Sequence, residues 1–132
     1  MTENTTLTRA VTQDRINAYA AVSGDRNRIH IDADFAAATQ FGGTIAHGMI
    51  LFGYLSDALS RTYGAAWDES GRLRARFRSP ARPGDQLSIT VQERVRETRS
   101  DGTIEVRCGV ECSKAGTAER LATGDATLTV TE

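Results

Sequence analysis

A carboxylate, an amide and an imidazole fall close together in Ser23-Gly24-Asp25-Arg26-Asn27-Arg28-Ile29-His30. An unperturbed imidazole exchanges its proton near pH 6.5, and a placed acid or base of that kind contributes about 10²–10⁴-fold to a proton-transfer step. Asp25 is suited to fix a water or carry a second proton beside His30. The same residue types also suit a plain loop, with Asp25 and Asn27 bonding nearby backbone as turn residues and His30 standing as a polar surface group. On this stretch alone both readings stay open.

A second segment, Gly42-Gly43-Thr44-Ile45-Ala46-His47-Gly48-Met49, leads directly into an apolar run. The first amides of a helix have no partner within it, and the helix dipole adds positive potential there. Such an end can hold a developing oxyanion, and Gly48 would let a ligand approach the backbone with no Cβ in the way. The plain alternative is an ordinary helix start at which His47 caps or packs.

These groups need elements to hold them. Thr12 is placed to cap a helix with Asp14 in its first turn and Ile16, Tyr19 and Ala20 on one face, ending near Ser23-Gly24. From Gly24 to Ile45 the chain reads as a long shaped loop with one helical patch at Asp34 to Ala38, and loops of that length tend to carry function. A helix from Ala46 to about Tyr63 holds Met49, Ile50, Phe52, Leu55 and Leu59 and is apolar nearly all round its first half, so it is expected to be wrapped by the rest of the chain. After it the period changes to two. Leu73, Ala75 and Phe77 alternate with Arg72, Arg74, Arg76 and Arg78, and similar alternation recurs at Leu87 to Val91, Ile104 to Val110 and Leu128 to Val130. With a short extended start at Leu7 to Val11, this gives an α+β domain in which an antiparallel sheet wraps a long central helix, the hot-dog arrangement. Open sheet edges make a dimer the expected remedy.

Composition narrows the function classes. The chain has 132 residues, 39% of them hydrophobic and 25% charged, which suits one globular domain over 1–132, with 1–6 expected as a flexible tail. Sixteen Lys and Arg against 17 Asp and Glu leave a formal charge of −1, so no bulk attraction draws the chain to nucleic acid or an anionic membrane. The longest apolar stretch, at 49–55, falls far short of the roughly 20 residues that cross a bilayer. The polar, acidic start, Met1 to Thr6, is unlike a signal segment, and the expected location is the cytosol. Cys108 and Cys112 would lie about 13 Å apart on an extended strand, too far to bridge. Two cysteines and two histidines at unrelated spacings make no metal set, so none is expected. The arginine alternation reads as a solvated strand face that discourages aggregation.

Taken together, residues 23–30, Ile-Ala-His-Gly-Met at 45–49 and Phe-Arg-Ser-Pro-Ala-Arg-Pro-Gly-Asp at 77–85 resemble the MaoC-like, (R)-specific enoyl-thioester hydratases and dehydratases. The first segment is similar to that family's signature, Ser-Gly-Asp-x-Asn-Pro-x-His, and the resemblance runs from the first helix to the last strand. It implies that Asp25 and His30 are the catalytic pair, that Asn27 supports the site, and that the Gly48 N–H polarises a thioester carbonyl. The chemistry implied is (R)-specific hydration of trans-2-enoyl thioesters, or the reverse dehydration. No cofactor is implied; coenzyme A or phosphopantetheine arrives as part of the substrate, on acyl-CoA or acyl carrier protein. Two departures stand out. Arg28 replaces the signature's proline and is expected to bring extra charge near the site. Gly53 stands where some members place a small polar residue.

An acyl group needs an apolar slot. Phe35, Phe41, Met49, Ile50 and Phe52 are available for it, and Asn27 and His47 complete the expected substrate-binding set. Two other functions compete. A hot-dog thioesterase would use an acid on the central helix, where only Asp57 is available. A heterodimeric dehydratase would pair this chain with another hot-dog chain, and retention of both Asp25 and His30 would make this the catalytic half of such a pair, the simpler expectation being a homodimer.

Overall fold

The computed structural model describes residues 4–131. Five antiparallel strands, β1 (Asn4–Ala10), β2 (Arg72–Phe77), β3 (Gln86–Thr98), β4 (Ile104–Lys114) and β5 (Arg120–Val130), form one sheet in the order β1-β3-β4-β5-β2. Alternation sends Leu87, Ile89 and Val91 of β3 and Val106, Cys108, Val110 and Cys112 of β4 to one buried face. The register keeps these layers opposite one another, with Ile89 facing Cys112, Val91 facing Val110 and Val106 facing Leu128. The arginines of β2 point to solvent on the other face.

Helix α1 (Gln13–Ser23) starts at Thr12, whose hydroxyl accepts the Arg15 amide, and stops at Gly24. Two short helices follow, α2 (Arg28–Ile31) and α3 (Ala33–Ala37). The long helix α4 (Gly48–Tyr63) buries Leu51, Leu55, Ala58 and Leu59 against the sheet. This is the expected hot-dog arrangement, and it sets the amino end of α4 beside α2 and the segment before it.

Three expectations need correction. The expected tail at 1–6 is divided: 1–3 lie outside the described residues, whereas 4–6 belong to β1 and pair with Thr90 to Gln92. The 24–45 segment holds the expected helical patch, as α3 capped by Asp32, and also a second short helix, α2 capped by Asn27, so it is less irregular than its composition suggested. The long helix is not wrapped all round. Met49 is 53% exposed and Gly53 is exposed, so the face opposite the sheet stays open. Between α4 and β2 lies one further element that periodicity did not mark. Gly64 breaks the helix and α5 (Ala65–Ser70) folds back, burying Trp67, whose indole N–H donates to Ser56 Oγ at 3.0 Å. A Cβ on Gly71 would sit 2.3 Å from that indole, so only glycine lets the strand leave so close to the ring.

At the far end of α4 a bulge between Glu93 and Val95 turns Glu93 into the protein. Its carboxylate accepts the Tyr63 hydroxyl at 2.8 Å and two Arg96 N–H groups at 2.8 and 3.1 Å. The Arg96 guanidinium holds this carboxyl below the usual range, while burial pushes the Tyr63 phenol up. A group whose folded pKa is lowered stabilises the fold above its unfolded pKa, and that stability is lost as pH falls through the folded value. Glu93→Gln is therefore expected to cost about 1–3 kcal/mol at neutral pH and to flatten the loss of stability on acidification, measured by denaturant unfolding across pH. An unchanged acid profile would show that the cluster carries none of it. Cys108 and Cys112 are free and buried, and burial pushes the Cys112 thiol up to about 12.

Candidate active site

The site is assembled from three segments. Asn27 Oδ1 accepts the Ile29 amide, which starts α2 and turns His30 inward. His30 Nδ1 lies 2.8 Å from the Ile45 carbonyl oxygen. A carbonyl only accepts, so Nδ1 carries the proton and Nε2 keeps a free lone pair. Asp25, in the link between α1 and α2, uses Oδ1 to accept the Asn27 amide at 3.3 Å and is otherwise open to solvent. The turn-residue reading of Asp25 and Asn27 thus holds alongside the chemical one.

His47 lies beneath both. Its ring stacks on His30 with centroids 3.8 Å apart and 23° between planes, and its Nε2 lies 2.9 Å from the Asp25 carbonyl oxygen. At 2% exposure it offers support to the site rather than a surface for substrate. Tyr19 of α1 meets the same ring in a T-shaped contact, with centroids 4.8 Å apart. One polar atom from each of Asp25, His30 and His47 lies within 4.8 Å of the others. That is a ligand-type set, but two rings stacked face to face hold their lone pairs in nearly parallel planes, one above the other, which disfavours convergence on one ion. Two of the four ring nitrogens are also committed to carbonyls, and the cluster suits proton handling better than metal ligation.

The amino end of α4 completes the site. The His47 side chain does not cap it, and among the described residues the Gly48 and Met49 amides meet no acceptor. The Phe77 ring lies over Gly48, and a Cβ there would come within 3.2 Å of it, a second reason for glycine beyond ligand access. The third motif braces this end: the Ala81 carbonyl accepts the Ala46 amide at 2.8 Å, and the Arg82 guanidinium donates to the Phe41 carbonyl. Gln13, at the start of α1, donates to the His30 carbonyl at 2.8 Å and accepts from the Thr44 hydroxyl at 2.7 Å, locking the two histidine-bearing segments together.

An open groove of about 700 Å³ lies along the exposed face of α4, starting at Met49, the residue after Gly48, and is lined by Tyr19, Met49, Ile50, Gly53 and Tyr54 together with Arg9, Arg15 and Asp57. Of the residues expected to hold substrate, Met49 and Ile50 line this groove; Phe35, Phe41, Phe52, Asn27 and His47 do not. Phe35 lies under the Arg28 guanidinium, 4.5 Å from ring centroid to carbon, and Phe52 is half-buried on another face of α4. Sequence reasoning passed over Gln13, Tyr19 and Phe77. Tyr19 had been visible as one of three residues on a helical face, and Phe77 as the last inward residue of its strand.

A family model described as MaoC like domain matches residues 1–115. The chain belongs to this MaoC-like family. It is 33% identical over 86 residues to the 3-hydroxybutyryl-CoA dehydratase of Methylorubrum extorquens, covering 65% of this chain and 55% of that protein. It is 29% identical over 89 residues to an (R)-specific enoyl-CoA hydratase of Rhodospirillum rubrum, covering 67% and 62%. The chain thus spans less than two thirds of the length of both of these relatives. Its fold superposes on the R-hydratase PhaJ1 of Pseudomonas aeruginosa with TM-score 0.83 and 26% identity, over 98% of this chain and 81% of that one. Within this MaoC-like domain, Arg28 occupies the first helical position of α2, a place that favours proline. Its guanidinium turns away to Asp32, at 3.0 Å, and to the Phe35 ring. The extra charge expected near the site is thereby paired, and the Phe35 amide and Arg28 together hold the Asp32 carboxyl below its usual range.

Proposed function

We propose that this MaoC-like domain adds water to trans-2-enoyl thioesters to give (3R)-hydroxyacyl thioesters, or runs the reverse dehydration. The observation that carries this reading is the meeting of Asp25 and His30 beside the uncapped amino end of α4. Atoms no more than 4.8 Å apart can share one water, since two hydrogen bonds of about 2.8 Å span that separation. His30 Nε2 and the Asp25 carboxylate then hold and deprotonate the water. The oxygen adds to Cβ, and the charge that develops on the thioester oxygen is met by the Gly48 N–H. The proton returns to Cα from the same face, because both groups lie on one side of the substrate.

In this reading no cofactor takes part; coenzyme A or phosphopantetheine enters on the substrate. The acyl chain follows the apolar groove past Met49, Ile50 and Tyr54. Asp57, the acid a thioesterase would use, is paired with Arg9 at 3.1 Å and Arg61 at 3.2 Å, which supports hydration over hydrolysis. Among the described residues no helix is long and apolar enough to cross a membrane, and a cytosolic setting is part of this reading. The test is loss of enone absorbance when purified protein meets crotonyl-CoA. Release of free thiol in its place would overturn the assignment.

The unpaired outer edges of β1 and β2 and the open face of α4 support assembly into a dimer, of two copies or with another hot-dog chain. Light scattering on the purified chain is expected to give twice the protomer mass. A stable monomer that is fully active would contradict this.

A further inference from the structure

His47 touches both members of the proposed pair without reaching the surface. Its Nε2–H donates to the backbone oxygen of Asp25, and its ring face lies against His30. Within 24–28 every other hydrogen bond among the described residues is local: Gly24 to Ala20, Asp25 to Ser23, Asn27 to Asp25, and those running into α2. The bond to His47 therefore ties the Asp25 link to the head of α4. The other ring nitrogen, Nδ1, is buried with no hydrogen-bond partner. An unpartnered buried nitrogen costs stability that an apolar ring of the same shape would not, so packing alone does not account for an imidazole here. The titratable groups around the ring are Tyr19 from α1, Asp25 from the link and His30 from α2.

We propose that His47 is the positioning residue of this site: it fixes the placement of the Asp25 side chain relative to the His30 ring, through a hydrogen bond to the Asp25 backbone carbonyl and a stacked face against His30, and contacts no substrate. The proposal rests on the hydratase reading for its kinetic consequence and on the geometry alone for its structural one. Two substitutions separate the two contacts. His47→Phe keeps a flat ring under His30 and loses the donor; His47→Gln keeps an N–H within reach of the Asp25 carbonyl and loses the ring.

With crotonyl-CoA as probe, His47→Phe is expected to lower kcat by about 10–100-fold with KM within about threefold, as a displacement near 1 Å would. His47→Gln is expected to recover most of that loss. A raised KM at unchanged kcat would make His47 a substrate contact, and a fully active His47→Phe would remove its role. A readout independent of activity accompanies these. In the wild-type protein, nitrogen NMR is expected to show the His47 ring protonated on Nε2, and amide exchange at Asp25 and Asn27 is expected to quicken about tenfold in His47→Phe while β4 is unchanged. A ring protonated on Nδ1, or unchanged exchange, overturns the proposal. Wild-type protein inactive on every enoyl-CoA would sink the hydratase reading alone, and the NMR and exchange results would still decide this one.

Discussion

His30→Ala is expected to lower turnover of an enoyl-CoA substrate by about 10²–10⁴-fold while the unfolding midpoint stays close to wild type. The ring is half-buried, makes one side-chain hydrogen bond, to the Ile45 carbonyl, and lies on His47 rather than in the hydrophobic core. Its loss removes a lone pair from the site more than it removes packing. Asp25→Asn is expected to show a comparable fall. The amide still accepts the Asn27 N–H and leaves the backbone bond to His47 intact, so the charge is what disappears. If both groups act on one water, the double variant is scarcely slower than the slower single variant, because each removal already disables the shared step. Steady-state kinetics on the three proteins checks this. Effects that multiply fully would mean that the groups act in separate steps.

Leu55→Ala is expected to have the opposite profile. Leu55 is fully buried at the middle of α4, and truncating a core leucine costs about 2–5 kcal/mol. That is a large fraction of the 5–15 kcal/mol or so that holds a typical domain folded. Yet Leu55 stands seven residues from Gly48, about 10 Å along the helix axis. Below its lowered melting temperature the variant is expected to keep kcat within a few-fold of wild type. Thermal unfolding and kinetics on the same sample separate the two. A collapse of kcat in a folded variant would show that the core of α4 tunes the site directly.

The elements that sequence patterning revealed are those whose burial has one period throughout. The alternations at Leu87 to Val91 and Ile104 to Val110 needed only the rule that successive side chains on a strand face opposite ways. The bounds of α1 followed from a capping threonine and a terminating glycine. Patterning failed where a few residues decide the path. Helices of four to six residues, such as α2 and α5, carry too little periodicity to stand out, and their caps at Asn27, Asp32 and Gly64 resemble ordinary turn residues. The open face of α4 is invisible to patterning because an apolar residue facing a groove and one facing a core look alike in one dimension.

The same limit applies to the site. Asp25, His30 and Gly48 were legible because their types and spacing form a motif. Gln13 and Tyr19 come from another helix, and only the fold brings them to His30 and His47. Sequence proximity points the phenylalanines at the substrate, but Phe35 is turned to Arg28 and the groove is lined by Tyr19, Met49, Ile50 and Tyr54.

Hydration of crotonyl-CoA in deuterated water, with proton NMR of the product's C2 and C3 centres, tests the central claim most directly. One water held by Asp25 and His30 on one side of the double bond requires deuterium and hydroxyl to be added to the same face, and the proposed (3R) product further requires R at C3, read by chiral chromatography of the released hydroxy acid. Addition to opposite faces, or an S product, would contradict it.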